Sequence, residues 1–494
     1  MASEWFPASC RRVSLLQSAS CIAFTAALMT GCGGGPSQPP LAGNTSVTIL
    51  ATSTANDQLS ELALNITSIS LTNKDGESVP LLTTPEYIEF MHLNGNVEPL
   101  ITATIPEGVY TSATVTSNDG VPLCIYLANG DISTDSIQTA STSDVTTNLP
   151  SPITVTGTSM LLELNLQVSQ STNFSACSQM VYGSVPFTVT PTFNLSTLSL
   201  AAQPTNITNG MATGLRGLVA TQSSGATNFT VAGEYGTGHS APTWQVTSNS
   251  STVFQGITSA SQLAVGMPVD MDASIQPDGT LLATRVAVYE TNPSNLSYSI
   301  GQTSIVAATT PYTPATPLVN TVAIQFQGPD FAGSNGGFGL YTSSSAVFQT
   351  SGQMTNVSTL PFAASFNATN IVPGQNIFAT TVEPNNAPLP ATTLTLLPQT
   401  INGTVTAVSN DSSFTTYTVS LAAYDIFPNL ANQPGQASLL TNPGTVVVYV
   451  DNNTHQLSAT PPAVGSLLRF NGLVFNDNGT LRMDCAQITD GVAE

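Results

Sequence analysis

The stretch Leu263-Ala264-Val265-Gly266-Met267-Pro268-Val269-Asp270-Met271-Asp272-Ala273-Ser274-Ile275 has the clearest structural period in the chain. Val269, Met271, Ala273 and Ile275 alternate with Pro268, Asp270, Asp272 and Ser274. A period of two is that of a β-strand with one core face and one wet face. Gly266 suits a tight turn ahead of it. Pro277-Asp278-Gly279-Thr280 suits a hairpin behind it, and Leu281 to Val286 supplies the returning strand.

Upstream of this hairpin lie Gly217-Leu218-Val219-Ala220, Phe229-Thr230-Val231 and Ser251-Thr252-Val253-Phe254. The same order returns near the C-terminus as Gly403 to Val408, Tyr417-Thr418-Val419, Val446 to Val450, Ala463-Val464-Gly465-Ser466-Leu467-Leu468 and Asn478-Gly479-Thr480-Leu481. A divergent middle copy contains Ser345-Ala346-Val347-Phe348, Ile371 to Ile377 and Ala391-Thr392-Thr393-Leu394. The order resembles the exported family known as domain of unknown function 5666. That resemblance implies small barrels in tandem. Closing a small sheet into a barrel removes its exposed edges. The point matters in a chain almost devoid of Lys, the usual edge guard.

The region before these copies also reads as strands. Leu62 to Leu71 alternates apolar and polar residues, Asn73-Lys74-Asp75-Gly76 signals a turn, and a strand through Val79 to Leu82 follows. Leu64 to Leu71, Leu93-Asn94-Gly95 and Ile105-Pro106-Glu107-Gly108-Val109-Tyr110 together resemble the exported bacterial domain of unknown function 4382, over about residues 45–195. Members often carry an Asp-Ala-Pro that Ala51 to Asn56 lacks. The resemblance implies an envelope β-sandwich and brings no catalytic motif.

Only 7% of the 494 residues are charged, against about 25% in ordinary soluble domains, while 41% are hydrophobic. Low charge with real apolar content is not the signature of disorder. Formal net charge is -21, and beyond residue 31 the cations are Lys74, Arg216, Arg285, Arg469 and Arg482. A basic stripe able to displace counterions from a duplex is missing, so nucleic acid is not expected as a partner.

Arg11 and Arg12, the apolar run Ile22 to Met29, and Leu28-Met29-Thr30-Gly31-Cys32 together read as a lipoprotein signal. Cys32 is then the acylated residue, and a firm membrane contact follows because each buried CH₂ contributes about 0.8 kcal/mol. Gly33 is not the Asp that retains lipoproteins in some inner membranes, which favours the outer membrane. Gly33 to Pro40 reads as a flexible tether. Cys124, Cys177 and Cys485 remain. Cys124 and Cys177 fall in one domain and are the expected disulfide in an exported compartment, leaving Cys485 buried in a strand.

Reactive constellations are sparse. His92, His239 and His455 lie far apart, without zinc-ligand spacing. His92 reads as a strand cap. His239-Ser240 lacks a nucleophile elbow. Asp270 and Asp272 share a strand face and are the best candidate pair for a glycosidase, against the plainer reading of a solvated face; Arg469 and Asn471 stand in their places in the last copy. Asp451-Asn452-Asn453 and Asn476-Asp477-Asn478 offer oxygens but not a calcium-loop pattern, and read as turns. Trp244, Tyr289, Tyr298, Phe326 and Tyr341 read as core rather than as a sugar platform. Gly333 to Gly339 lacks the Lys of a phosphate loop.

The expected architecture is therefore all-β: a signal peptide (1–31), a tether (32–44), a β-sandwich (45–200) and three small β-barrel-like modules (201–300, 301–400 and 401–494). The expected function is that of a non-catalytic envelope lipoprotein, lipid-anchored at the outer membrane with its modules on the periplasmic or surface face, that binds or assembles with an envelope protein or polysaccharide and takes no cofactor. A carbohydrate-binding or carbohydrate-hydrolysing lipoprotein and an adhesin or pilus-associated subunit are the alternatives.

Overall fold

The computed structural model describes residues 43–493 except 55–56, 58, 129–130, 137–142, 173–188, 199–209, 223–226, 234–241, 292–296, 309–321, 328–338, 355–356, 382–388, 412, 432–439 and 459–460. The first ten strands are β1 (Asn44–Ser53), β2 (Leu59–Asn73), β3 (Ser78–Leu82), β4 (Glu86–Glu89), β5 (Glu98–Pro106), β6 (Gly108–Ala128), β7 (Asp131–Ser136), β8 (Ser143–Val155), β9 (Ser159–Leu166) and β10 (Phe193–Leu198). They form two sheets. One runs β10-β9-β1-β5; the other runs β3-β2-β6-β7, with β4 on β2 and β8 on β6. Val47, Ile49, Leu162 and Leu164 of the first sheet share one buried cluster with Ile66, Ile69, Leu71 and Val115 of the second. This is the expected β-sandwich, and its core positions are the alternating apolar residues of each strand.

Three barrels follow. The first uses β11 (Met211–Gln222), β12 (Asn228–Gly233), β13 (Thr243–Thr247), β14 (Val253–Gln255), β15 (Pro268–Ile275) and β16 (Leu281–Ala287). The second uses β17 (Ser297–Ala308), β18 (Val322–Gln327), β19 (Gly339–Thr350), β20 (Asn376–Thr381) and β21 (Leu389–Leu396). The third uses β22 (Gln399–Asn410), β23 (Thr415–Leu421), β24 (Thr445–Val450), β25 (His455–Gln456), β26 (Leu467–Asp477) and β27 (Thr480–Asp490).

All three rings share one plan. The first main strand pairs with the second and the fourth, the second with the third, the fourth with the fifth, and the third closes on the fifth. The closing pair is parallel in every case: Val246 beside Leu281, Leu340 beside Leu389, and Val446 beside Leu481. A five-stranded Greek-key ring of this kind is the plan of the OB-type barrel.

Local sequence explains the joints. In the β26–β27 hairpin Asp477 faces Thr480, so Asn478 and Gly479 alone form the turn, with φ of 53° and 89°. Left-handed values at both positions match the twist of the flanking strands, and Asn-Gly is the pair that tolerates them. Gly217 and Gly403 serve close approach instead. A Cβ at Gly217 would stand 2.1 Å from the Ala232 carbonyl oxygen, and one at Gly403 2.4 Å from that of Ser420.

The modules share their cores. Leu50 and Leu161 of the sandwich lie in the apolar cluster of the first barrel. Trp244 on β13 is buried and donates its indole N–H to the Pro99 carbonyl at 2.9 Å. Leu218 and Tyr289 of the first barrel pack on Phe378 and Leu397 beside the second. Ile377 and Leu394 of the second share a cluster with Leu473 and Phe475 of the third.

This docking corrects one expectation. Val269, Met271, Ala273 and Ile275 are buried as the period predicts. The opposite face of β15 is not solvated at Asp270, which is 2% exposed. The second barrel's Phe378 and Leu397 lie against it, together with Arg216 and Tyr289.

Gly217→Ala and Gly403→Ala should each lose about 1–3 kcal/mol, the usual cost of forcing atoms into a packed site. Urea unfolding monitored by far-UV circular dichroism checks this; an unchanged midpoint for both would contradict the close approach.

Candidate functional site

Three polar clusters interrupt the apolar seams. The first is built on β11, β15 and β16. Asp272 lies opposite Arg285 in the β15–β16 register, and Arg216 lies opposite Asp270 across β11–β15. Arg285 binds Asp272 through Nε at 2.6 Å and binds Asp270 through Nη2. Arg216 Nε stands 3.5 Å from the other Asp270 oxygen, and the Gly214 N–H donates to Asp272. Burial alone would raise the Asp270 pKa, but Arg285 and Arg216 outweigh it and hold the carboxyl below its usual range. Asp270 is thus kept ionised and sealed, a poor general acid. The plainer reading of a solvated face fails at Asp270, which the guanidinium groups and the second barrel cover, while Asp272 stays half-buried at the edge of a cleft.

The second cluster joins the sandwich to the last barrel. Glu89 accepts the backbone N–H groups of Leu62, Met91 and His92. His92 bridges two carboxylates, with Nδ1 2.9 Å from Glu89 and Nε2 2.8 Å from Glu98. It is therefore a bridge and not a strand cap, because Glu98 opens β5 on its other side. Burial opposes the imidazolium, but Glu98 and Glu89 prevail and raise His92 to about 10. Close by in sequence, the Asn94 carbonyl accepts from Thr400 at 2.6 Å, and the Gly95 carbonyl accepts from Gln487 at 3.1 Å. Arg469 donates to the Ser53 carbonyl at 3.2 Å. Asp57 accepts the Ile426 N–H at 3.0 Å, where the short helix Ile426–Ala431 begins. Burial raises Asp57 to about 7, and burial with the Asp57 charge raises Asp425 beside it.

The third cluster lines a cleft of about 180 Å³ between the first and third barrels. The first barrel contributes Met211, Thr213, Asp272 and Thr284; the third contributes Asp451, His455, Asn471 and Asp484. Gln353 and Met354, from the segment after β19, complete it. Thr284 and Asp484 follow equivalent turns in the two barrels and occupy equivalent places on the fifth strand. Asp272 and Asn471 are likewise equivalent on the fourth. One cleft is thus walled by matching positions of two copies. Their charges differ. Asp272 is neutralised by Arg285, whereas the residue paired with Asn471 in the third barrel is the uncharged Gln487; Cys485 nearby is a buried free thiol whose pKa burial pushes up. Asp484 is 6% exposed, and its Oδ2 has no hydrogen-bond partner among the described residues. Burial, then the nearby Asp451 charge, raises it to about 6. Gln353 Oε1 is likewise buried and unpartnered among the described residues.

Residues 216–287 match the model of the domain of unknown function DUF5666. The match covers β12–β16 and most of β11, the first barrel. No curated protein matches the chain. Among solved structures, "drosophila Unr CSD456" is similar at 12% identity over 57% of this chain and 99% of that one, with a TM-score of 0.13, a likeness too low to carry an argument.

Other sequence candidates are placed as follows. Asp451 accepts the Asn453 N–H at 2.8 Å, and Asn476 accepts the Gly479 N–H at 2.7 Å, so both Asn/Asp runs are turns. Trp244 is core, and the Tyr289 ring packs tilted against Phe378, with centroids 5.5 Å apart. Cys32, Cys177, His239, residues 333–338 of the Gly-rich run, and the side chains of Cys124, Tyr298, Phe326 and Tyr341 lie outside the described residues. Among the described residues, no group of three His, Cys, Asp or Glu is placed to hold a metal ion. Sequence reading misses the Asp57–Asp425 pair, which no local pattern links. It also misses the cleft, although the offset between copies pairs Thr284 with Asp484 and is readable in the sequence.

Trp244→Phe should cost about 1–3 kcal/mol, because it strands the buried Pro99 carbonyl; chemical denaturation measures it. Stability should also fall as pH rises. His92 is raised from 6.5 to about 10, so its contribution is complete below 6.5 and is lost toward 10. Asp57 is raised from 3.8 to about 7, so its burial becomes unfavourable across that interval as it must ionise. Melting temperatures against pH should therefore decline from 3.8 upward, and Asp57→Asn should flatten the decline up to about 7. An identical profile for the variant would contradict the assignment.

Proposed function

We propose that the chain is a non-catalytic envelope lipoprotein, held by an acylated Cys32 and a Gly/Pro tether, that displays its β-modules as one preassembled binding body. The observation that carries this reading is the welding of the modules. Trp244 ties the first barrel to the sandwich, and Thr400, Arg469, Gln487 and Ile426 tie the last barrel to the same sandwich. Each of these bonds spans more than a hundred residues of sequence, so the modules are not independent beads. A rigid scaffold loses little conformational freedom when it binds.

The burial of Asp270 and the pairing of both Asp270 and Asp272 with guanidinium groups support a non-catalytic reading over a glycosidase built on that pair. The resemblance of the sandwich to domain of unknown function 4382, and of the later copies to 5666, supports export. The net negative charge of the chain makes anionic lipid headgroups poor contacts, which leaves the acyl chains as the membrane contact and the modules free for an envelope protein or polysaccharide.

Metabolic labelling with palmitate should mark the wild-type protein and leave Cys32→Ser unmarked. Protease treatment of intact cells, compared with lysed cells, then reports the membrane face. An unlabelled wild type recovered from the cytosol would overturn the anchor.

A further inference from the structure

We propose that the cleft between the first and third barrels binds an alkylammonium group, presented by a small diamine or by a lysine side chain. This deepens the binding reading above, and it is tested on purified protein so that its failure leaves the anchoring result untouched.

The walls demand donors. Asp484 lines the cleft and is more than nine-tenths buried, and its Oδ2 has no hydrogen-bond partner among the described residues; Gln353 lines it too, with Oε1 likewise buried and unpartnered among them. An unmet buried acceptor is costly, so a ligand that donates there recovers that cost. Asp451 adds a second carboxylate, whose charge already disfavours ionisation of Asp484. Neither Lys nor Arg lines the cleft. Arg285, which does not line the cleft, directs its Nε to Asp272 and its Nη2 to Asp270. The electrostatic demand is therefore for a cation.

Its size and lining choose the kind of cation. Met211 and Met354 line the same space. A bare metal ion gains nothing from them, whereas an aliphatic chain is covered by them while its charged end reaches Asp484. The described His, Cys, Asp and Glu side chains are not grouped for metal coordination. A volume of about 180 Å³ suits a short aliphatic chain and not a polymer. No Phe, Tyr or Trp lines the cleft, so the stacking surface that sugars favour is missing. The strongly negative chain as a whole draws cations toward it.

Isothermal titration of the full-length protein in detergent, with 1,4-diaminobutane, with a lysine-containing tripeptide and with calcium chloride in separate arms, tests the proposal. At least one amine should bind in one-to-one stoichiometry. Asp484→Asn should weaken it about tenfold or more, as expected for a lost charge-assisted bond. Asp411→Asn, at an exposed loop carboxylate outside the cleft, should leave it unchanged. If Asp484→Asn does not fold, Gln353→Ala should still weaken binding about threefold, from loss of a neutral bond. Binding of the diamine alone assigns a free amine, and binding of the peptide alone assigns a protein lysine. Absence of heat with both amines, equal loss in Asp411→Asn, or calcium binding in place of the amines would overturn the proposal.

Discussion

Cations are scarce in this molecule, with seven Lys and Arg against twenty-eight Asp and Glu, and its buried carboxylates must be stabilised within that limit. Removing a carboxylate from water is expensive unless a partner compensates. Arg285 and Arg216 compensate Asp270 and Asp272. His92 and three backbone N–H groups compensate Glu89. Asp57 accepts a backbone N–H and is pushed toward its neutral form, and Asp484 has an oxygen with no partner among the described residues. The buried acids thus range from ion-paired Asp270 to Asp484, which lacks an ion-pair partner among the described residues and lines the cleft.

The same scarcity bears on the architecture. Lys is the common guard of an exposed sheet edge, and this chain has almost none to place there. Each barrel instead closes its ring through one parallel pair between its third and fifth strands. Closure uses up the edge, and the outer faces of the rings become available for docking on one another. The apolar seams at Leu218, Tyr289 and Phe378, and at Leu473 and Phe475, are the result. The seams bury polar residues that a free-standing barrel would leave in water. The three polar clusters therefore belong to the assembly as much as to any one module.

Much of the fold is legible in the residues. Alternation in Val269 to Ile275 marks the strand and its core face, and Asn478-Gly479 marks the hairpin. The recurring order from Gly217 and from Gly403 marks two copies of one unit. The divergent middle copy is legible only as fragments, because the strands of its ring share little sequence with the others. The outer face of β15 is misread for a related reason: period two separates two faces but says nothing about a neighbour that covers the polar one. His92 is misread because its partner Glu98 sits across a turn, and no spacing rule connects them.

The order of residues suffices for the all-β class, the strand and turn positions, the acidic balance and the likeness between the first and last copies, since these depend on side-chain period and local φ/ψ preference. Which carboxylates are sealed and which are left unmet is settled only in the packed molecule, because burial and charge pairing depend on contacts between residues far apart in the chain. Packing also brings Thr284 and Asp484, equivalent in sequence, to line a common space: that juxtaposition is a property of barrel docking, which local preference does not encode.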